Sequence, residues 1–262
     1  MNPSEGSIPR GILWSSYRCG STAFERSILT LEGVKVFHEY FAASYMPEGG
    51  SFFVTDFIKD PLLESKYSGV KSVLEGNFPG YRGVFLKDMA IHLVLPGKIH
   101  FVPDGYCHAI LIRNPVKSVT SLYRSLSQQN VDGLSEIIPH EPGFRELLEL
   151  YQYIKNVRGK TPMVIDADDD LFRDPATTMK KFCDFVGFEF KESMLHWNSD
   201  RPEAWKGNDA WFSTVLNTTG FLKKGTHSPS QIDLSSYPAY VRDAIQDSQP
   251  FYEKLYSLRS QP

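Results

Sequence analysis

The stretch "GILWSSYRCGSTAFERSIL", Gly11–Leu29, decides the fold. It opens on "GILWSS", an apolar run with the length of a buried strand. A short loop follows, "YRCGST", and then a segment with helical spacing. Phe24, Ile28 and Leu31 fall four and three residues apart, which predicts a stripe facing the core. Thr22, with Glu25 three residues on, predicts a capping box at the helix start. A strand feeding a helix through a tight loop aims backbone N–H groups at one centre, and the helix N-terminus adds partial positive charge. Gly20 lets the backbone approach a ligand closely. Arg18 adds a full charge, and Ser21 and Thr22 add hydroxyl donors beside Cys19. The loop therefore reads as a cradle for phosphate or sulfate. The plainer reading is a strand–helix turn in which Thr22 only caps. The nucleoside-triphosphatase pattern GxxxxGK[ST] is absent, with no Lys before the hydroxyl pair, and this weighs against a nucleotide kinase.

Outward from this loop, strand and helix patterns alternate. "VKVFHEYF" predicts a second strand ending at His38-Glu39, and "GVFLKD", Gly83–Asp88, a third. "HAILIRNP" predicts a fourth, after which Asn114 and Pro115 open a helix as N-cap and first residue. "TPMVIDAD" predicts a fifth. Asp174-Pro175 then start a helix whose apolar face is Met179, Phe182, Cys183 and Val186, and Gly187 ends it. Such alternation implies an α/β fold, a mainly parallel sheet flanked by helices, with ligands at the carboxyl ends of the strands. The 262 residues suit one large domain, and no Ser/Gly/Pro linker divides them. We read residues 1–262 as one domain, with an N-terminal tail at 1–10 and a C-terminal segment at 227–262.

Composition narrows the function. The net charge of −3 argues against a nucleic-acid binder. Three cysteines without CxxC spacing fit a reduced, cytoplasmic setting rather than a disulfide scaffold. No apolar run approaches the ~18 residues of a membrane span, and the N-terminus does not read as a signal peptide. No His/Cys cluster has metal spacing. The acidic run Asp166–Asp170 reads as a solvated loop after a strand. Trp197, Trp205 and Trp211 suit an acceptor pocket or the core equally.

A second motif gives the cradle its meaning. "LIRNPVKSVTSLYR" puts Arg113 at a strand's carboxyl end and Ser121 eight residues later, about two turns into the next helix. Two strand ends each presenting an Arg with hydroxyls fit a ligand with two separated phosphate groups. Here the sequence resembles the sulfotransferases that use 3′-phosphoadenosine 5′-phosphosulfate (PAPS). Their 5′-phosphosulfate loop, [K/R]-x-G-[ST]-[ST], is matched by Arg18, Gly20, Ser21 and Thr22. Their 3′-phosphate motif, R-[DN]-P with a Ser eight residues after the Arg, is matched by Arg113, Asn114, Pro115 and Ser121. A glycine-rich turn closing over the 3′-phosphate is matched by Lys223, Lys224 and Gly225 in "GFLKKGTH", and "DLFRDPATTMKKFCDFVGF" resembles a further family stretch.

The resemblance implies the P-loop-like sulfotransferase fold. It also implies transfer of a sulfonyl group from PAPS to a hydroxyl or amine of a small-molecule or carbohydrate acceptor, with PAP released and no metal required. The alternative is a PAP- or PAPS-binding protein without transferase activity. Homodimerisation is left open. Two departures matter. Ala23 stands where phenol- and steroid-type members carry an adenine-stacking Trp, leaving Phe221 or Trp211 for that task. Met89 falls where their catalytic His would be. "VFHEYF" instead resembles the stretch of bacterial and carbohydrate sulfotransferases whose Glu is thought to be the base, which points to Glu39. His92 is the second candidate base, Lys87 at a strand end is a third site residue, and Arg18 is assigned to the leaving charge. His38 is the remaining candidate base, though strand alternation would turn it to the side opposite Glu39.

Overall fold

The computed structural model describes residues 8–45, 66–198 and 232–259, together with 200, 202, 205, 212 and 215–221. Five parallel strands form one sheet in the order β2-β3-β1-β4-β5: β1 Arg10–Ser15, β2 Val34–His38, β3 Gly83–Met89, β4 Cys107–Ile112 and β5 Met163–Asp166. β1 lies at the centre, with Leu13 opposite Lys87 of β3 and Ala109 of β4. The chain leaves β1 for the β2–β3 side and returns to its other flank for β4. This reversal of direction opens a crevice at the carboxyl edge.

Both faces of the sheet are buried, so the strands read as near-continuous apolar runs rather than alternating ones. On one face Ile12, Trp14, Leu86 and Ile110 pack with helices α3 Tyr67–Glu75 and α6 Phe144–Asn156. On the other, Leu13, Phe85 and Leu111 pack with α1 Ser21–Ile28 and α7 Pro175–Val186. The predicted stripes hold: Phe24 and Ile28 are fully buried, as are Met179, Phe182 and Cys183. Burying each large apolar side chain contributes roughly 1.5–3 kcal/mol. Helix α4, Pro115–Gln128, crosses the carboxyl edge after β4. Further α-helices are α2 Ala42–Tyr45, α5 Leu134–Ile137 and α8 Ala239–Ser257. The C-terminal segment is part of the core, because Tyr252 and Leu255 of α8 are buried in the first cluster.

The helix starts correct one expectation and meet two. Asn114 caps α4 by accepting from the Val116 N–H at 2.9 Å, with Pro115 in the first turn. Asp174 caps α7 through the Thr177 N–H. α1 has no capping box. It starts at Ser21, and its N-cap is Gly20 in the left-handed region at φ 87, with no side-chain cap bond. Glu25 is instead pulled toward buried polar partners described below, which outbid a local backbone bond. Gly20 is required by more than its φ: a Cβ there would lie 2.6 Å from the Phe172 ring.

Candidate functional site

Those of the predicted residues that the structure describes gather at the carboxyl edge in two groups. The first is built by the β1–α1 loop, the β4–α4 turn and the end of β5. Arg18 takes a left-handed backbone, φ 60, and turns its guanidinium across to α4, where Nε donates to Ser121 Oγ at 3.2 Å. Arg113 Nη1 donates to the Arg18 carbonyl at 3.1 Å, so the two loops are tied together. The first amides of α1, at Ser21 and Thr22, have no partner within the helix and point out of its end. Cys19 is buried; its Sγ lies 2.8 Å from Ser16 Oγ, and burial pushes its thiol up to about 12, so it is no nucleophile. Burial, then the nearby Arg113 and Arg124 charges, lower the Arg18 pKa.

Two residues that the sequence reading passed over complete this group. Lys117, one helical turn before Ser121, lies 3.1 Å from Asp168 Oδ1, and Arg113 Nε lies 3.5 Å from Asp168 Oδ2. Asp168 belongs to the acidic run, which is not a solvated loop. Asp166 is buried and caps a π-turn, Ala167–Leu171, by accepting from the Asp168 and Asp169 N–H groups. Tyr252 and Tyr256 of α8 donate to Asp166 and Asp169. Among the described residues no group of His, Cys, Asp and Glu has the arrangement of a metal site.

The second group lies at the ends of β2 and β3. Glu39 is one residue past β2, with φ 48, and its N–H donates to the Lys87 carbonyl at 2.7 Å. Lys87 Nζ donates to Glu39 Oε1, and both residues are buried. Burial alone would raise the Glu39 pKa. The charges of Lys87, then His38 and His92, reverse this and hold the carboxyl at about 2. Lys87 is the largest of these lowering influences.

Histidines flank this pair. His38 does not face away from Glu39: the left-handed turn at Glu39 breaks the alternation, and His38 Nε2 lies 3.8 Å from Glu39 Oε1. His38 Nδ1 meets Glu25 Oε2 at 2.7 Å, and Trp205 Nε1 donates to Glu25 Oε1 at 3.1 Å. A 3₁₀ turn at Ala90–His92 folds His92 under the edge, fully buried. Its Nδ1 meets Asp88 Oδ1 at 2.8 Å, and its Nε2 lies 3.4 Å from the Tyr17 hydroxyl. Burial, then the charges of Glu141 and Glu39, raise Tyr17 well above its usual range.

Lys223, Lys224, Gly225 and Trp211 lie outside the described residues. Phe221 is buried with its ring 5.1 Å from that of Trp197, and Trp197 and Trp205 are buried as well. The residues missed by sequence reading are Lys117, Asp168, Glu25, Asp88, Tyr17 and Glu141. Lys117 carried a usable signal, four residues before Ser121 on one helix face. Asp168 and Glu141 carried none, since their partners are far away in sequence.

With the geometry established, comparisons place the chain. Residues 10–258 match the family described as Sulfotransferase domain. The fold resembles a sulfotransferase from Alicyclobacillus acidocaldarius, at TM-score 0.57 and 15% identity, covering 97% of this chain and 98% of that one. It also resembles the sulfotransferase domain of the curacin biosynthetic pathway, at TM-score 0.51 and 14% identity, covering 93% and 99%. Among curated proteins the chain is 29% identical over 250 residues to branched-chain-amino-acid aminotransferase-like protein 2 of Arabidopsis thaliana. It is 30% identical over 249 residues to the like protein 1. It covers 92% and 93% of its own length in these matches but spans only 40% and 41% of theirs, so their names describe proteins much longer than the matched region. Because the family match runs through β1 to α8, the chain belongs to the sulfotransferase domain family.

Proposed function

We propose that the chain transfers a sulfonyl group from PAPS to a hydroxyl or amine of a small-molecule or carbohydrate acceptor, and that residues 1–262 act as one sulfotransferase domain. The observation that carries this reading is the meeting of Arg18, Arg113 and Ser121, from two different strand ends, beside a buried Glu39–Lys87 pair. Arg113, Ser121 and Lys117 are suited to the donor's 3′-phosphate. The amides of Gly20–Thr22, with Arg18, are suited to the 5′-phosphosulfate, and Lys223, Lys224 and Gly225 remain assigned to the 3′-phosphate by resemblance.

Transfer is in line. The acceptor oxygen or nitrogen forms a bond to sulfur while the bond from sulfur to the 5′-phosphate oxygen breaks, leaving its electron pair on PAP. Preorganised donors at the loop stabilise that developing charge. Glu39 is ionised at neutral pH and takes the acceptor's proton as it is released. Lys87, held against Glu39, places a positive charge beside the transferred group. No residue in this scheme requires a metal ion.

The test is a melting series with PAP, ATP and Mg²⁺ added separately, followed by an acceptor screen with labelled PAPS. PAP alone should raise Tm, since a ligand at a hundred times Kd stabilises by about 2.7 kcal/mol. Label should then pass to an acceptor. A shift with ATP and Mg²⁺ but none with PAP would replace this reading with a kinase. PAP binding without label transfer to any acceptor would leave a binding protein.

A further inference from the structure

Two histidines approach Glu39, and the structure treats them differently. Each is backed by a buried carboxylate at Nδ1, Glu25 for His38 and Asp88 for His92. These carboxylates fix the tautomers. Trp205 Nε1–H can only donate, so Glu25 accepts on both oxygens and His38 Nδ1 carries the hydrogen. Asp88 accepts from the N–H groups of Met89 and Phe41, so His92 Nδ1 carries one too. Each ring then presents its lone pair at Nε2. At His92 that lone pair meets the Tyr17 hydroxyl. At His38 it faces Glu39 Oε1, the same oxygen that takes the Lys87 bond.

We propose that His38, oriented by Glu25, is the proton-relay residue of the site and takes from Glu39 the proton that Glu39 removes from the acceptor. This rests on the reading of Glu39 given above. The acceptor's proton forms an O–H bond on the Glu39 carboxyl as the sulfonyl group moves. That O–H bond then breaks while an N–H bond forms at His38 Nε2. The imidazolium stays paired with Glu25, and Glu39 returns to its anion beside Lys87. Lys87 Nζ is bonded to Glu39 Oε1 and Glu25 Oε2 to His38 Nδ1, so a counter-charge stands beside each product of the step. Closing 3.8 Å to a hydrogen bond takes a movement of about 1 Å. Among the described residues, the charged groups around His38 include Glu25 of α1, Glu39 after β2 and Lys87 of β3. Trp205 and Phe212 pack against its ring, with Arg26 beyond Trp205.

The experiment is side-chain nitrogen NMR on the full chain labelled at histidine, without nucleotide, with His38 assigned through His38→Gln. The expected tautomer is Nδ1–H, with Nε2 carrying no hydrogen. PAPS hydrolysis, with water as the acceptor, supplies the kinetic readout. There His38→Gln should lower kcat on the order of tenfold with KM for PAPS unchanged. An Nε2–H tautomer, or an unchanged kcat in His38→Gln, would overturn the relay. Because the tautomer is read without nucleotide, failure of PAP to bind would remove the donor assignment and leave the His38 result standing.

Discussion

The two halves of the carboxyl edge solve opposite problems. At the ends of β2 and β3 the charges are buried and paired with one another: Glu39 with Lys87, His38 with Glu25, His92 with Asp88. Among the described residues at the ends of β1, β4 and β5, the partly buried Arg113 and Lys117 meet the Asp168 carboxylate, and Arg18 meets the Ser121 hydroxyl. The first half carries its counter-charges with it. The second draws three cations, Arg18, Arg113 and Lys117, toward one place from two strand ends. A group that moves protons must hold its partners in fixed geometry, while a group that binds phosphate must leave donors for the ligand.

The contrast is broken most severely at Lys87. Replacing it with Met leaves Glu39 as a buried charge without its main partner, a change that costs about 3–5 kcal/mol. We expect urea unfolding to show that loss, and Lys87→Met with Glu39→Gln together to recover much of it. A single-variant cost under about 1 kcal/mol would mean that the pair is effectively solvated. The same pair gives a pH signature. The Glu39 pKa is about 2 in the folded chain against a reference of 4.5, so its stabilisation is present above pH 4.5 and is lost as pH falls through about 2. The stability difference between the wild type and Glu39→Gln should therefore shrink across that window. A flat difference would show that Glu39 is not held by its neighbours.

The next effect belongs to Arg18. Arg18→Ala should lower kcat by on the order of a hundredfold, with a smaller loss of PAP affinity, because the leaving charge needs this donor more than the bound product does. Arg18→Lys should restore much of the rate. Normal turnover in Arg18→Ala would reduce the loop to a binding element. The smallest effect is local to the second half. Asn114→Ala should cost about 1 kcal/mol in thermal unfolding through loss of the α4 cap. It should also weaken PAP, since Lys117 and Ser121 ride on that helix. Lost stability with unchanged PAP binding would separate the helix from the phosphate site.

How far the sequence could be read follows the same division. The Arg113 strand end, the Asn114-Pro115 start and the Arg18–Thr22 loop are local patterns, and the structure places all of them at one edge. Local rules failed where long-range partners compete. Thr22 and Glu25 spell a capping box, yet a buried histidine and an indole, His38 and Trp205, claim Glu25 instead. Strand alternation predicted His38 on the far side of Glu39, and one left-handed residue undid it. Asp166–Asp170 looks solvent-seeking by composition. Its carboxylates are instead used by a π-turn and by α8, more than eighty residues later (|i−j| 86 and 87). Charge composition does not reveal which ions are buried in pairs, because that depends on strand order.

The most direct test of the central claim compares two ligands on two proteins. PAP and adenosine 5′-phosphosulfate are titrated by calorimetry, without Mg²⁺, into the wild type and Arg113→Ala. Only PAP carries a 3′-phosphate, so Arg113→Ala should weaken PAP by about ten- to a hundredfold, equivalent to roughly 1.5–3 kcal/mol, and leave adenosine 5′-phosphosulfate nearly unchanged. Equal losses for both ligands, or none for either, would contradict the assignment of the β4 edge to the 3′-phosphate.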